Sequence, residues 1–261
     1  MTSQSAVEIA EPLPSISGPW KFWATTLWSL AIVGVGIVVG ALTTFVILLQ
    51  LNPDPDLPLP EVKALLSAKP GMMPAILSVT VASGLAMLLL AVRLSGLRMR
   101  DYLGLIAPRR NDLLIGLAGL AALYALFTAA ALVMPRAPNP FVSNYNDALS
   151  SGTMLMLVAG LLILAPVGEE LVIRGFMQRG WAASRLGPIG AIVLTSLVWT
   201  ALHTQYDLFL LADIFCIGLL LGWLRQRSGS LVLTIFLHAA QNAFVLAHTA
   251  LAIWSGAGAL A

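Results

Sequence analysis

Two adjacent acids and an arginine stand at the end of a long apolar stretch of the sequence. Glu169 and Glu170 follow the run 153–167, and Arg174 comes four residues after the second acid. Side chains four residues apart share a helical face, so Glu170 can pair with Arg174, whereas Glu169 points about 100° away. An ordinary ion pair would account for only one acid. Because a carboxylate is costly to bury near hydrocarbon, Glu169 is a candidate functional residue.

Two of the three histidines also lie inside apolar segments. His203 follows Trp199 by four residues and Asn242 follows His238 by four, so each pair shares a helical face. A single histidine in a membrane helix more often bonds a neighbouring helix than catalyses a reaction, and His248, which has no companion motif, fits that description. Two acids, two histidines and an asparagine together in the C-terminal apolar segments instead favour a catalytic site.

These residue types match the requirements of amide hydrolysis. A glutamate and a histidine can share a water as general base and orienting partner, while a second histidine and an asparagine amide donate to the developing oxyanion. Glu169, His203 and His238 would also make a two-histidine, one-carboxylate zinc set with one position left for water. No His-Glu-x-x-His motif supports that set. Neither Ser196 nor Cys216 has a sequence neighbour that would mark it as an activated nucleophile.

The composition is that of a polytopic membrane protein. Hydrophobic residues make up 59% of the 261 residues and charged residues 10%, with a mean hydropathy of +0.90. A net charge of +2, with no basic run interleaved with aromatics, excludes nucleic acid as a partner. The single cysteine excludes a disulfide framework and a thiolate metal cluster. We therefore expect an all-α bundle of transmembrane helices.

Apolar runs near the required ~20 helical residues predict about seven spans, with an eighth as the alternative count. They are Phe22–Leu51, Pro74–Val92, Asp112–Met134, Thr153–Arg174, Pro188–His203, Leu208–Leu224 and Ser230–Ile253. Several later runs are short and contain polar residues, so we expect them to pack against each other. Gly218 and Gly222, four residues apart in the sixth run, would permit close helix contact.

The arginine distribution predicts the orientation. The densest basic segment, 93–110, follows the second run, and the positive-inside rule places it and the N-terminus in the cytoplasm of a cell (inner) membrane. The proline-rich segment 52–60 cannot be helical, and we expect the amphipathic stretch 61–69 to lie on the membrane surface. The predicted parts are a disordered cytoplasmic tail at 1–19, N-terminal transmembrane helices at 20–150, a catalytic core at 151–253 and a C-terminal tail at 254–261.

The predicted depths of the candidate residues do not all agree. At the rise of a helix, Glu169 and His238 lie about 12–15 Å below the cytoplasmic face, whereas His203 lies about 23 Å below it. The fifth span would therefore have to begin below the interface, tilt, or be entered by a dipping connector at 181–187.

Three motifs, in this order, resemble the CPBP intramembrane proteases, also called the CAAX protease and bacteriocin-processing, or Abi, family. They are Glu-Glu-x-x-x-Arg at 169–174, aromatic-x-x-x-His at 199–203 and His-x-x-x-Asn at 238–242. The resemblance covers about Thr153 to Val245. The sequence departs from the family pattern at Trp199, where phenylalanine is commoner.

The resemblance implies an intramembrane endopeptidase that acts on membrane-associated peptides or proteins. By family position, Glu169 would activate the water with His203, while His238 and Asn242 would form the oxyanion site. Glu170 with Arg174 would brace the motif. The resemblance leaves a glutamate-dependent and a zinc-dependent mechanism open; we favour the glutamate and hence no cofactor.

Two other kinds of function stay open at this stage. A non-catalytic scaffold or bacteriocin-immunity protein of the same fold would bind a membrane-protein partner within the bilayer. A transporter could use Glu169, Glu170 and Asp213 as proton carriers, but no internal repeat of the kind common in transporters is evident.

Overall fold

The computed structural model describes residues 20–51, 53–54, 56–58, 61–62, 65–66, 72–134 and 139–255. Every regular element within them is helical, which confirms the predicted all-α bundle. The predicted tail at 1–19, most of the tail at 254–261 and most of the amphipathic stretch 61–69 lie outside the described residues.

We number the helices in chain order. They are α1 (Phe22–Leu51), α2 (Met72–Leu94), α3 (Met99–Leu103), α4 (Arg110–Ala131), α5 (Pro140–Ser150), α6 (Met154–Ala182), α7 (Gly187–Ala201), α8 (Leu208–Ser228) and α9 (Leu231–Trp254). Of these, α1, α2, α4, α6, α8 and α9 supply six helices long and apolar enough to span a membrane. The chain is therefore a multi-pass membrane protein.

The main departure from the predicted spans is α7. This helix has 15 residues, so the predicted fifth span is a short apolar helix and the described chain offers six crossings rather than seven. Two further helices, α3 and α5, were not predicted, because both lie in polar connectors without an apolar run. The fourth span, α6, continues to Ala182 instead of ending at Arg174.

Helix α6 lies at the centre of the bundle. Its residues 173–181 are all buried, and this part contacts α1, α3, α7 and α9. Two stretches of α6, Gly160–Leu164 and Leu171–Met177, are π-helical. A π-turn inserts an extra residue into the helix and so rotates the faces on either side of it, and such turns are frequent at functional sites. Glu169 and Glu170 lie between these two stretches, and Arg174 lies within the second.

Two buried arginines hold α3 against the arginine-rich end of the bundle. Arg179 of α6 donates to the carbonyls of Asp101 and Tyr102, and Arg225 of α8 donates to the carbonyl of Leu103 at 3.1 Å. The last carbonyls of a helix have no partner within it, so these guanidinium groups satisfy them. Burial raises the pKa of Tyr102, although the nearby Arg179 opposes the shift. The phenol therefore stays neutral at physiological pH.

The two glycines of α8 form a close contact with α7, as their spacing predicts. A Cβ at Gly218 would lie 3.0 Å from Cβ of Ser196, and a Cβ at Gly222 would lie 3.0 Å from Cγ2 of Ile192. Only the absence of a side chain allows this approach. The contact sets the position of α7, which carries Trp199 and leads directly into His203.

We predict that Gly218→Leu weakens this packing. The new side chain would collide with α7, and overpacking typically costs about 1–3 kcal/mol. The melting temperature in detergent should fall by several degrees. Gly34→Leu is the matched control, since a Cβ there would meet nothing within 4 Å. Equal shifts for the two variants would contradict the prediction.

Candidate active site

The indole of Trp199 lies at the centre of the candidate residues. Its Nε1–H donates to Oε2 of Glu169 at 2.6 Å. The rings of His203 and His238 contact it edge to face, with centroids 5.3 and 5.2 Å from the indole centroid. The guanidinium carbon of Arg174 lies 4.4 Å from the same centroid, a cation–π distance. Side chains from α6, α9 and the end of α7 therefore meet on one ring.

Glu170 is the buried acid that joins α6 to α9. Its Oε1 accepts a hydrogen bond from Nη1 of Arg174 at 2.8 Å, as the four-residue spacing predicts, and lies 3.1 Å from Nδ1 of His238. Relative exposures are 0% for Glu170, 1% for Arg174 and 4% for His238. The contact with His238 was not predicted. Because a carboxylate paired with arginine can only accept, Nδ1 is the donor, and Nε2 is left for other contacts.

His203 lies just beyond the end of α7 and turns back onto it. Its Nδ1 is 2.8 Å from the carbonyl oxygen of Trp199, which can only accept, so Nδ1 carries the hydrogen. In the neutral ring, Nε2 is then a free acceptor for a proton from water. The side chain of this segment that contacts Glu169 is that of Trp199, one turn before His203.

Tyr206 lies beside the candidate residues and was not predicted from the sequence. It lies in the loop between α7 and α8, and its ring stacks on His203 with centroids 6.2 Å apart and planes 17° apart. Burial raises the pKa of Tyr206, and the negative charge of Glu169 contributes to the same shift. No motif includes this tyrosine, so only its place in the fold identifies it.

Asn242 is held by the first π-helical stretch of α6. Its Nδ2 donates to the carbonyl of Leu161 at 2.8 Å. In this stretch the N–H of Ala165 bonds the carbonyl of Gly160. The next N–H in that register would belong to Pro166, which has none, so the Leu161 carbonyl needs another donor. Asn242 supplies it and keeps its second amide hydrogen for another acceptor.

The structure thus groups the predicted residues in two ways. Glu169, His203 and His238 share the indole of Trp199, whereas Asn242 is anchored on α6 about two turns before Glu169. Among the described residues, no group of three or more His, Cys, Asp and Glu side chains is arranged to hold a metal ion. Both histidines keep Nε2 for a further contact, since Nδ1 of each is bonded to a protein acceptor.

Comparison with known proteins points in the same direction as the motifs. Residues 151–244 match the family described as Rce1-like, the type II CAAX prenyl endopeptidases. The chain is 31% identical over 128 residues to an uncharacterized 24.3 kDa protein of Escherichia coli, a match that covers 48% of this chain and 58% of that protein. No solved structure matches the chain. The family match confirms the resemblance to CAAX proteases that the three motifs predict.

We predict that Arg174→Met strongly destabilises the protein. It would leave the Glu170 carboxylate buried without its cation, a change that typically costs about 3–5 kcal/mol. Chemical unfolding in detergent would measure the loss. The double variant Glu170→Gln/Arg174→Met should recover much of it, because the charge that lacks a partner is then gone.

The control for this prediction is Arg227→Met. Arg227 also pairs with an acid, Asp112, at 2.9 Å, but its side chain is 48% exposed. Asp112 is buried, but water reaches the guanidinium end of this bridge, so the loss of stability should be smaller than for the fully buried pair. Similar losses of stability for Arg174→Met and Arg227→Met would show that burial does not set how much the Glu170–Arg174 pair contributes to stability.

Proposed function

Because residues 151–244 match the CAAX endopeptidase family, we propose that this protein is an intramembrane endopeptidase. Its substrates would be membrane-associated peptides or proteins, and its site would lie among α6, α7 and α9. The observation that supports this best is the convergence of Glu169, His203 and His238 on the indole of Trp199. A carboxylate and two imidazoles gathered in a membrane protein are suited to activating water.

In the proposed first step, Glu169 is the general base. Its Oε2 is occupied by the indole N–H, so Oε1 is the oxygen available to a water molecule. His203 orients this water through Nε2, since its Nδ1 is bonded to the Trp199 carbonyl. The water oxygen bonds to the peptide carbonyl carbon as Glu169 takes one proton, and the carbonyl oxygen becomes negative.

The second step stabilises and then resolves this negative charge. The free amide hydrogen of Asn242 and the imidazole of His238 would stabilise the oxyanion, with Nδ1–H of His238 held by the Glu170 carboxylate. When the tetrahedral intermediate collapses, the C–N bond breaks and Glu169 returns its proton to the leaving amine. Glu170 and Arg174 do not react; they hold His238 in place.

The proposed substrate class follows from the family description, and the proposed orientation follows from the arginine distribution. The family description names CAAX prenyl endopeptidases, and we extend this only to a peptide tethered at the membrane. The arginine-rich segment 93–110 would lie on the cytoplasmic side of the cell membrane. A membrane-protein partner is compatible with the large lipid-facing surface of the N-terminal helices.

The central test is Glu169→Gln. Removing the base should lower cleavage of membrane-tethered reporter peptides, among them a prenylated CAAX sequence, by about 10²- to 10⁴-fold. The melting temperature should change little, because Glu169 is only partly buried and glutamine can still accept from the indole. Glu61→Gln, an exposed acid outside the spans, is the matched control.

Retained cleavage by Glu169→Gln would end the proposal that this residue is the base. A cellular phenotype that survives Glu169→Gln unchanged would instead favour the non-catalytic scaffold or immunity function.

We also propose that the water is activated without zinc. The support is the bond of Oε2 of Glu169 to the indole, which leaves the carboxylate one oxygen for the water; the Nδ1 bonds of the two histidines leave each Nε2 open and suit a water or a metal ion equally. Cleavage in vesicles should therefore persist after dialysis against a strong zinc chelator. A rate that is lost and then restored by added zinc would overturn this part of the mechanism.

A further inference from the structure

We propose that the indole N–H of Trp199 is a positioning group. It orients the Glu169 carboxylate so that this residue can take a proton from the attacking water. This inference rests on the proposed function and assigns a role to a side chain outside the reacting groups. The bond from Nε1 to Oε2 is 2.6 Å long, which is short for an N–H donor, and a charged acceptor shortens such bonds. It joins α7 to α6 directly at the candidate base.

The indole can position Glu169 because it is itself held on several sides. Arg174 lies over the ring at 4.4 Å, and His203 and His238 contact it edge to face. The backbone carbonyl of Trp199 is bonded by the side chain of His203. With 4% relative exposure, the ring has no room to change rotamer without displacing these neighbours.

The chemistry of indole suits this task. An indole nitrogen is a donor only, so Trp199 can hold a carboxylate oxygen without competing with Glu169 for a proton of the water. The bond makes the two oxygens of Glu169 unequal: Oε2 is fixed by Trp199, and Oε1 is left to act as base. Without the N–H, the carboxylate could rotate about its last side-chain bond and present either oxygen in several orientations.

Other indoles of the protein donate to uncharged groups. Trp181 donates to Oγ1 of Thr26 at 3.0 Å, and Trp20 donates to the carbonyl of Ala91 at 3.0 Å. Both bonds join helices, as does that of Trp199, but neither involves a candidate catalytic residue. Trp181 is as deeply buried as Trp199, at 4%, and therefore offers a matched control for the removal of one N–H.

The test is Trp199→Phe, which keeps an aromatic ring and deletes the donor. For the loss of a hydrogen bond to a charged group, kcat toward the reporter peptides should fall about ten- to a hundredfold. The KM should stay within about twofold, because Trp199 acts on Glu169 and not on ground-state substrate. Trp181→Phe should lower the melting temperature by a similar amount and leave kcat unchanged. Wild-type kcat in Trp199→Phe, or equal losses of kcat in both variants, would overturn the proposal.

A second measurement separates this inference from the proposed function. Melting temperatures of Trp199→Phe, Glu169→Ala and the double variant form a double-mutant cycle that needs no substrate. The two single shifts should not add, because both remove the same bond; additive shifts would show that the indole does not hold Glu169. If the wild type cleaves none of the reporter peptides, the endopeptidase function and the catalytic role of Trp199 fail together. The cycle then still decides whether the contact exists.

Discussion

The buried ion pair between Glu170 and Arg174 is the interaction on which the rest of the site depends. Neither side chain reaches solvent, so each charge depends on the other as its main partner. Glu170 also fixes His238 on α9, and Arg174 lies against the indole of Trp199 on α7. The same indole donates a hydrogen bond to Glu169. The pair thus contacts His238 directly and supports Glu169 through the indole of Trp199.

The irregular path of α6 has a related effect. A regular helix of 29 residues would satisfy its own carbonyls and offer none to a neighbouring helix. The π-helical stretch before Pro166 leaves the carbonyl of Leu161 without an N–H from its own helix, and Asn242 of α9 fills the gap. A local defect in one helix therefore selects the rotation of another, in an environment where an unsatisfied carbonyl is especially costly.

The short helix α7 explains how His203 enters the site. A full span would carry His203 to the far side of the bilayer from the arginine-rich end, whereas α7 stops after 15 residues. Its close contact with Gly218 and Gly222 of α8 sets its position beside α6. The turn that follows brings His203 back onto the last carbonyls of α7 and stacks Tyr206 on its outer face.

The sequence by itself determined what depends on neighbours along the chain. Apolar runs predicted the six long helices and also a seventh span, which is the short helix α7. The four-residue spacing predicted the pair of Glu170 with Arg174, and two glycines predicted a close helix contact. Only the tertiary structure decided which groups meet across helices: Trp199 with Glu169, His238 with Glu170, and Asn242 with Leu161. These pairs are far apart in sequence, and the rotation and depth of each helix decide them. Rotation and depth come from packing, which local periodicity does not encode.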